Sequence, residues 1–221
     1  MIVAIDGPAG SGKGTVTKEI AKRMGLINLD TGATYRCVAL ASIRAGLTLA
    51  DEKEIVDLID DLKIEFQYDN DSIRVFMNDE EVTGLIRTFE VNKIVSQVSS
   101  IIPVRIKMVD LQRRMAEGKD VIMEGRDIGT YVFPNADVKI YLDAAVEERA
   151  KRRFKENKEK GMDVSFDEIL ENIKKRDEND KNKAMGALKV ADDAIIVDST
   201  KLTIEEMADE VEKIIRRKMG K

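Results

Sequence analysis

A short apolar run at residues 2–5 ends in Asp6 and opens directly into Gly7-Pro8-Ala9-Gly10-Ser11-Gly12-Lys13-Gly14-Thr15. Val16, Ile20, Ala21 and Met24 then recur at helical spacing, and Gly25 marks a stop. No other feature restricts the fold as much as this succession of strand, glycine loop and helix. A continuous apolar run reads as a strand covered on both faces, and the helix after it must return by a right-handed crossover. The glycines let the loop turn its N–H groups inward, the helix N-terminus adds a positive field, and Lys13 adds a full charge. Gly7-x4-Gly12-Lys13 is the spacing of a phosphate-binding P-loop, with Lys13 directed at β- and γ-phosphates. Gly14 stands where the strict motif has Ser or Thr, and a hydroxyl follows at Thr15.

Four more apolar runs, at residues 26–29, 121–123, 138–142 and 194–197, have the same character, with helical patterns between them. Near the far end Thr203 and Glu206 form a capping box ahead of Met207, Val211, Ile214 and Ile215 on one helix face. The alternation predicts an α/β fold with a five-stranded parallel sheet and flanking helices. Two segments depart from it. Between residues 63 and 82 the period falls to two, with Ile64, Phe66 and Tyr68, then Ile73, Val75 and Met77, and Asp69, Asn70 and Asp71 form a turn between them. This predicts a small antiparallel sheet inserted at about residues 60–85. Residues 147–183 are rich in Lys, Arg, Asp and Glu. They read either as a solvated helical pair or as a mobile lid that presents cations to a polyanion, and composition alone does not choose.

Composition removes whole classes of chemistry. The 221 residues suit one globular unit with insertions. The chain has no histidine, which excludes a Ser-His-Asp triad, a Cys-His pair and a His-ligated metal. Its single cysteine, Cys37, excludes an internal disulfide or thiolate zinc cage and reads as a buried helix residue. A net charge of −5 and an aromatic content of 5% argue against nucleic acid as a partner. The leading run is too short for a signal peptide, and no run approaches the ~18 apolar residues of a membrane span, so a cytoplasmic location is expected.

A P-loop specifies a nucleotide without saying what happens to its phosphate. Arg36 follows the second strand run, and Arg126 and Asp127 follow the third. Both places lie at the carboxyl ends of parallel strands, where open α/β sheets bind ligands. Two arginines at the same edge as a P-loop favour a second anionic ligand facing the first, and their planar forks suit a phosphate ester. Glu124, ending the third strand, has the position of an acid that orients Mg²⁺ through water or pairs with Lys13 when the loop is empty. Spacing alone leaves Ser96 and Arg105 as solvent-facing helix residues, and puts Arg149 and Arg153 on one helix face.

The P-loop, Leu29-Asp30-Thr31-Gly32-Ala33-Thr34-Tyr35-Arg36, the segment from Glu124 to Pro134 and the string from Arg176 to Lys183 together resemble the bacterial-type cytidylate kinases. The resemblance runs in order from the first strand to about Ser199, and its specific parts are the Gly-Arg-Asp-Ile-Gly-Thr segment and the inserted sheet. It implies a P-loop kinase fold with a nucleoside-monophosphate-binding insertion and a lid at about residues 147–183. The Gly-Lys-Gly-Thr loop ending is then a family trait. Arg36, Arg126 and Lys183 would surround the monophosphate; Ser96, Arg105 and Asp127 would read the cytosine; Arg176 and Asp180 would face the sugar. Arg149 and Arg153 would meet the ATP phosphates. Thr31 keeps a hydroxyl where Ser is common, whereas Lys183, Asn179 and Lys181 stand where Arg is more usual.

The implied reaction is transfer of the γ-phosphoryl group of ATP to CMP or dCMP, with Mg²⁺ bridging β- and γ-oxygens. The attacking phosphate oxygen is already an anion, so no general base is needed, in keeping with a chain that has no histidine. Lys13, Arg126, Arg149 and Arg153 are the expected catalytic groups, and a monomer without a resident metal site is expected. The alternatives are another small-molecule or monophosphate P-loop kinase, and a nucleotide switch. A switch calls for Asn-Lys-x-Asp, and Asn182-Lys183-Ala184-Met185 lacks its Asp.

Overall fold

The computed structural model describes residues 1–69, 72–159 and 161–220. In chain order its elements begin with β1 (Ile2–Asp6), α1 (Lys13–Met24), β2 (Ile27–Asp30), α2 (Thr31–Arg44) and α3 (Glu52–Leu58). Three short strands follow, β3 (Ile64–Asp69), β4 (Ser72–Met77) and β5 (Glu80–Glu81), then α4 (Phe89–Val98) and α5 (Ile102–Ala116). The remainder is β6 (Val121–Gly125), β7 (Val138–Asp143), α6 (Val146–Glu159), α7 (Phe166–Lys181), β8 (Ile195–Asp198) and α8 (Ile204–Lys218). They form two compact units, Met1–Asn28 with Gly118–Lys221, and Leu29–Glu117.

The first unit carries the five-stranded parallel sheet, in the order β2-β6-β1-β7-β8. Its five strands are the five apolar runs. Each extends one or two residues beyond its apolar stretch, because ladder bonds use only backbone and let Asp6, Asp30, Glu124, Gly125, Asp143 and Asp198 continue the strands. The central strand β1 is covered on both sides by design of its sequence, with Val3, Ala4 and Ile5 wholly buried. Val3 and Ile5 join Val16 and Ile20 of α1 and Val211, Ile214 and Ile215 of α8 in one cluster. Each such aliphatic side chain contributes about 1.5–3 kcal/mol when buried. Register sets Asp6 beside Gly125 on one flank and Tyr141 on the other. The loops that leave β1, β6 and β7 therefore start from one edge of the sheet. Helices α6 and α7 form a pair with a small core of their own, in which Ala150, Ile169 and Ile173 meet Phe154 and Phe166.

The second unit packs α2, α3, α4 and α5 with the expected small sheet, of strand order β3-β4-β5. Antiparallel register pairs Ile64 with Met77 and Phe66 with Val75. Period two then places Ile64, Val75 and Met77 in the same core as the helices. Asn78 and Asp79, both at positive φ, make the two-residue turn into β5. Of the turn expected at Asp69, Asn70 and Asp71, Asp69 instead continues β3 and pairs with Ser72, and the other two lie outside the described residues. Cys37 is fully buried on α2, as expected, and burial pushes its thiol up to about 12.

Candidate active site

Helix α1 begins without the usual furniture of a helix N-terminus. Its N-cap is Gly12, no side chain caps it, and its first turn has no acid. By contrast α7 and α8 each start with a complete capping box, Ser165 with Glu168 and Thr203 with Glu206, and with acids in the first turn. The start of α1 thus has the make-up that suits an anion, with neither a side-chain cap nor a first-turn acid in its way. The loop that delivers them has no latitude at Gly7, where φ is +150° and an added Cβ would stand 2.1 Å from the Leu142 carbonyl oxygen. Only glycine lets the chain pass β7 there.

Lys13 is 4% exposed, and its Nζ donates to the Pro8 carbonyl at 2.7 Å and to Ser11 Oγ at 3.4 Å. Burial and the nearby Arg126 lower its pKa well below the ordinary lysine value, with Arg176 adding to this while Glu124 and Asp6 oppose it. A buried ammonium among two arginines and two carboxylates is a charge cluster of the kind that marks a functional site. Glu124 lies against the loop, since a Cβ on Gly14 would come within 2.9 Å of its Oε1. The carboxylate occupies the neighbourhood that a residue-14 side chain would need, and carboxylate oxygen beside a phosphate loop suits a hard cation such as Mg²⁺.

The expected phosphate and sugar groups of this unit are tied together. Arg126 Nε donates to Asp180 Oδ2 at 2.8 Å, and Lys183 Nζ lies 3.1 Å from Asp180 Oδ1. Burial alone would raise the Asp180 pKa, but Arg126 and Lys183 together hold it below the ordinary value. Asp127 is buried beside them in sequence, whereas Arg176, two turns before Lys183, is exposed.

Helix α6 brings two arginines to the loop, the expected Arg149 and Arg152, which sequence reasoning missed. Arg149 is buried and donates to the Ala144 and Ala9 carbonyls at 2.9 and 3.1 Å and, through both terminal nitrogens, to Asp177 at 3.1 and 2.6 Å. Its expected companion Arg153 is exposed and pairs with Glu156 at 3.0 Å. Arg152 instead reaches the Ser199 and Ser11 carbonyls, at 2.6 and 3.4 Å. Positions three and four along a helix fall on opposite sides of the first residue's azimuth, and the P-loop lies on the side of the third. The double arginine Arg152-Arg153 was the available signal, but spacing could not say which of the two faces inward.

In the second unit Thr31 is buried at the start of α2, behind the N-cap Asp30, whose side chain accepts from the Ala33 N–H at 3.0 Å. Arg36 donates to the Asn92 side chain and, at 3.4 Å, to the Ile86 carbonyl. Ser96 is half-buried on α4. Arg105 corrects the reading from spacing: it is 3% exposed, donates to the Ser99 carbonyl at 3.1 Å, and its guanidinium lies 5.5 Å from the Tyr35 ring centroid. A cation over an aromatic face replaces part of the hydration that burial removes.

Comparison with known proteins follows this geometry. The family model described as cytidylate kinase matches residues 3–217. The cytidylate kinase of Geobacter sulfurreducens is 48% identical over 99% of this chain and 94% of its own length. Those of Caldicellulosiruptor bescii and Lactobacillus gasseri are each 47% identical, over 95% and 99% of this chain and 92% and 95% of their own lengths. Among solved structures, an uncharacterized protein from Eubacterium ventriosum shares the fold, with a TM-score of 0.52 at 13% identity over 97% of this chain and 98% of that one.

Proposed function

The chain belongs to the cytidylate kinase family, and from that premise we propose how its own residues phosphorylate CMP and dCMP with ATP. The observation that carries the reading is the uncapped, acid-free start of α1 with Lys13 buried behind it. The loop N–H groups of residues 7–15 and Lys13 take the β- and γ-phosphates of the donor. Arg126 and Lys183 take the acceptor phosphate together with Arg36, and exchange their carboxylate partner Asp180 for it. Ser96, Arg105 and Asp127 read the cytosine, with Asp127 accepting from the exocyclic amine. Asp180, once released, and Arg176 face the sugar, and Thr31 adds a hydroxyl at the start of α2.

Transfer needs alignment and charge neutralisation rather than proton abstraction, since the attacking oxygen is already anionic. Arg149 steadies the transferring phosphoryl group, and Arg153 joins it when the α6–α7 pair closes as a lid and excludes water. Glu124 and the Thr15 hydroxyl would hold the Mg²⁺ that accompanies ATP, which would supply positive charge against the β- and γ-phosphate oxygens. No helix among the described residues is long and apolar enough to cross a membrane. We read the protein as a cytoplasmic monomer.

A coupled ADP-release assay with ATP and Mg²⁺ tests the proposal, comparing CMP, dCMP, UMP, AMP, GMP and shikimate with no acceptor. Turnover led by CMP and dCMP is expected, with little ATP hydrolysis in their absence. Turnover led by any other acceptor would remove the roles given to Ser96, Arg105 and Asp127.

A further inference from the structure

Asp6 interrupts an otherwise apolar strand, and no step above uses it. It is 5% exposed at the end of β1, directly before Gly7. Its two carboxylate oxygens accept from two consecutive backbone donors, Oδ1 from the Ile128 N–H at 2.8 Å and Oδ2 from the Gly129 N–H at 2.7 Å. These donors open the π-helical turn Ile128–Val132, immediately after Arg126 and Asp127. Gly129 makes room for the contact: a Cβ there would stand 3.1 Å from Lys139 Cδ and 3.4 Å from Asp6 Oδ2. One buried side chain thus joins the residue directly ahead of the P-loop to the segment that carries Arg126.

We infer that Asp6 is a positioning residue, whose ionised carboxylate fixes the separation between the P-loop and the Arg126-Asp127 segment and so between the donor and acceptor phosphates. The inference rests on the roles proposed above for Lys13 and Arg126. Only the carboxylate can serve both N–H groups at once. A protonated Asp6 turns one oxygen into a donor facing an N–H, and an asparagine does the same with its amide nitrogen. Burial pushes the Asp6 pKa up to about 6, against the two N–H bonds that lower it; Asp127 adds to the rise and Lys13 opposes it. The charged and titratable neighbours are Lys13 on α1, Asp127 after β6, and on β7 Tyr141, itself pushed up to about 12, with the stem of Lys139 against Gly129.

The sign of the linkage separates function from stability. The folded-state pKa lies above the unfolded value of about 3.9, so the fold binds the proton more tightly. Asp6 therefore weakens the fold as pH rises from about 4 to 6 and gives no stability at neutral pH. Its carboxylate form is useful to the site and unfavourable to the fold.

Two measurements test this. In the first, kcat of the wild type and of Asp6→Asn is followed from pH 5 to 8.5 with CMP and ATP. The acceptor phosphate itself titrates near ~6, and the ratio of the two enzymes removes that contribution. The expected ratio is about 100 at pH 8, the cost of displacing a catalytic segment by roughly 1 Å, falling towards unity near pH 5, with KM for ATP little changed. In the second, the backbone amide signals of Ile128 and Gly129 are followed in the ligand-free wild type. They are bonded to Asp6 and not to Lys13, so a shared midpoint near 6 reports Asp6 alone. A ratio that does not change with pH, an asparagine variant equal to the wild type at pH 8, or amide signals that stay flat would each overturn the inference. If the variant does not fold, the amide titration decides. Normal turnover in Lys13→Ala would instead remove the functional reading, with the titration unaffected.

Discussion

In the P-loop unit the groups proposed for the donor phosphates are mainly backbone N–H groups and a lysine, on a loop whose path glycine dictates. The groups proposed for the acceptor are side chains, and those in the Leu29–Glu117 unit, Arg36, Ser96 and Arg105, stand on helices held by a core that includes Tyr35, Val38, Val98, Val104 and Met108. The two modes of construction divide the work differently. A backbone cradle recognises any polyphosphate and owes its form to a few residues. A set of side chains can recognise one base, and every member depends on the packing of its helix. The loop should therefore govern rate, and the set of side chains, to which the P-loop unit adds Arg126, Asp127 and Lys183, should govern which acceptor is used.

The largest effect that can break this division is loss of charge at Lys13. Lys13→Ala should lower kcat by ~10³-fold or more with the circular dichroism unchanged, measured by ADP release with CMP. Next comes Arg36→Ala, expected to lower kcat/KM for CMP about 100-fold while KM for ATP stays within about threefold. Equal damage to both substrates would end the division of labour. Lys183→Arg, which restores a planar fork, should lower KM for CMP by roughly two- to fivefold and leave KM for ATP alone. The smallest effect sharpens the contrast between the open start of α1 and the capped start of α8. Thr203→Ala should cost about 1 kcal/mol of stability, or roughly 2–4 °C in Tm, with kcat intact.

Sequence alone carried the sheet, the P-loop and the small antiparallel sheet, because each depends on local periodicity or on glycine at fixed offsets. It did not carry the direction of individual side chains. Arg105 looked solvent-facing by spacing, yet it lies buried over Tyr35, some seventy positions earlier. Arg152 and Arg153 are neighbours in sequence, and only the placement of the P-loop beside α6 distinguishes them. Asp6 was visible merely as the end of an apolar run. Its partners Ile128 and Gly129 lie 122 and 123 residues away, and no local pattern links them.

The approach of Glu124 to Gly14 also limits how such a sequence can drift. Replacing Gly14 by Ser would restore the strict P-loop in one step, but the new Cβ would arrive 2.9 Å from a carboxylate oxygen of a residue on another strand. The carboxylate is the far end of a flexible side chain, so Glu124 can turn aside to admit the new Cβ. A lineage leaving this glycine behind would pass through an enzyme with a displaced Glu124, and the 109 intervening positions would give no sign that the two residues touch.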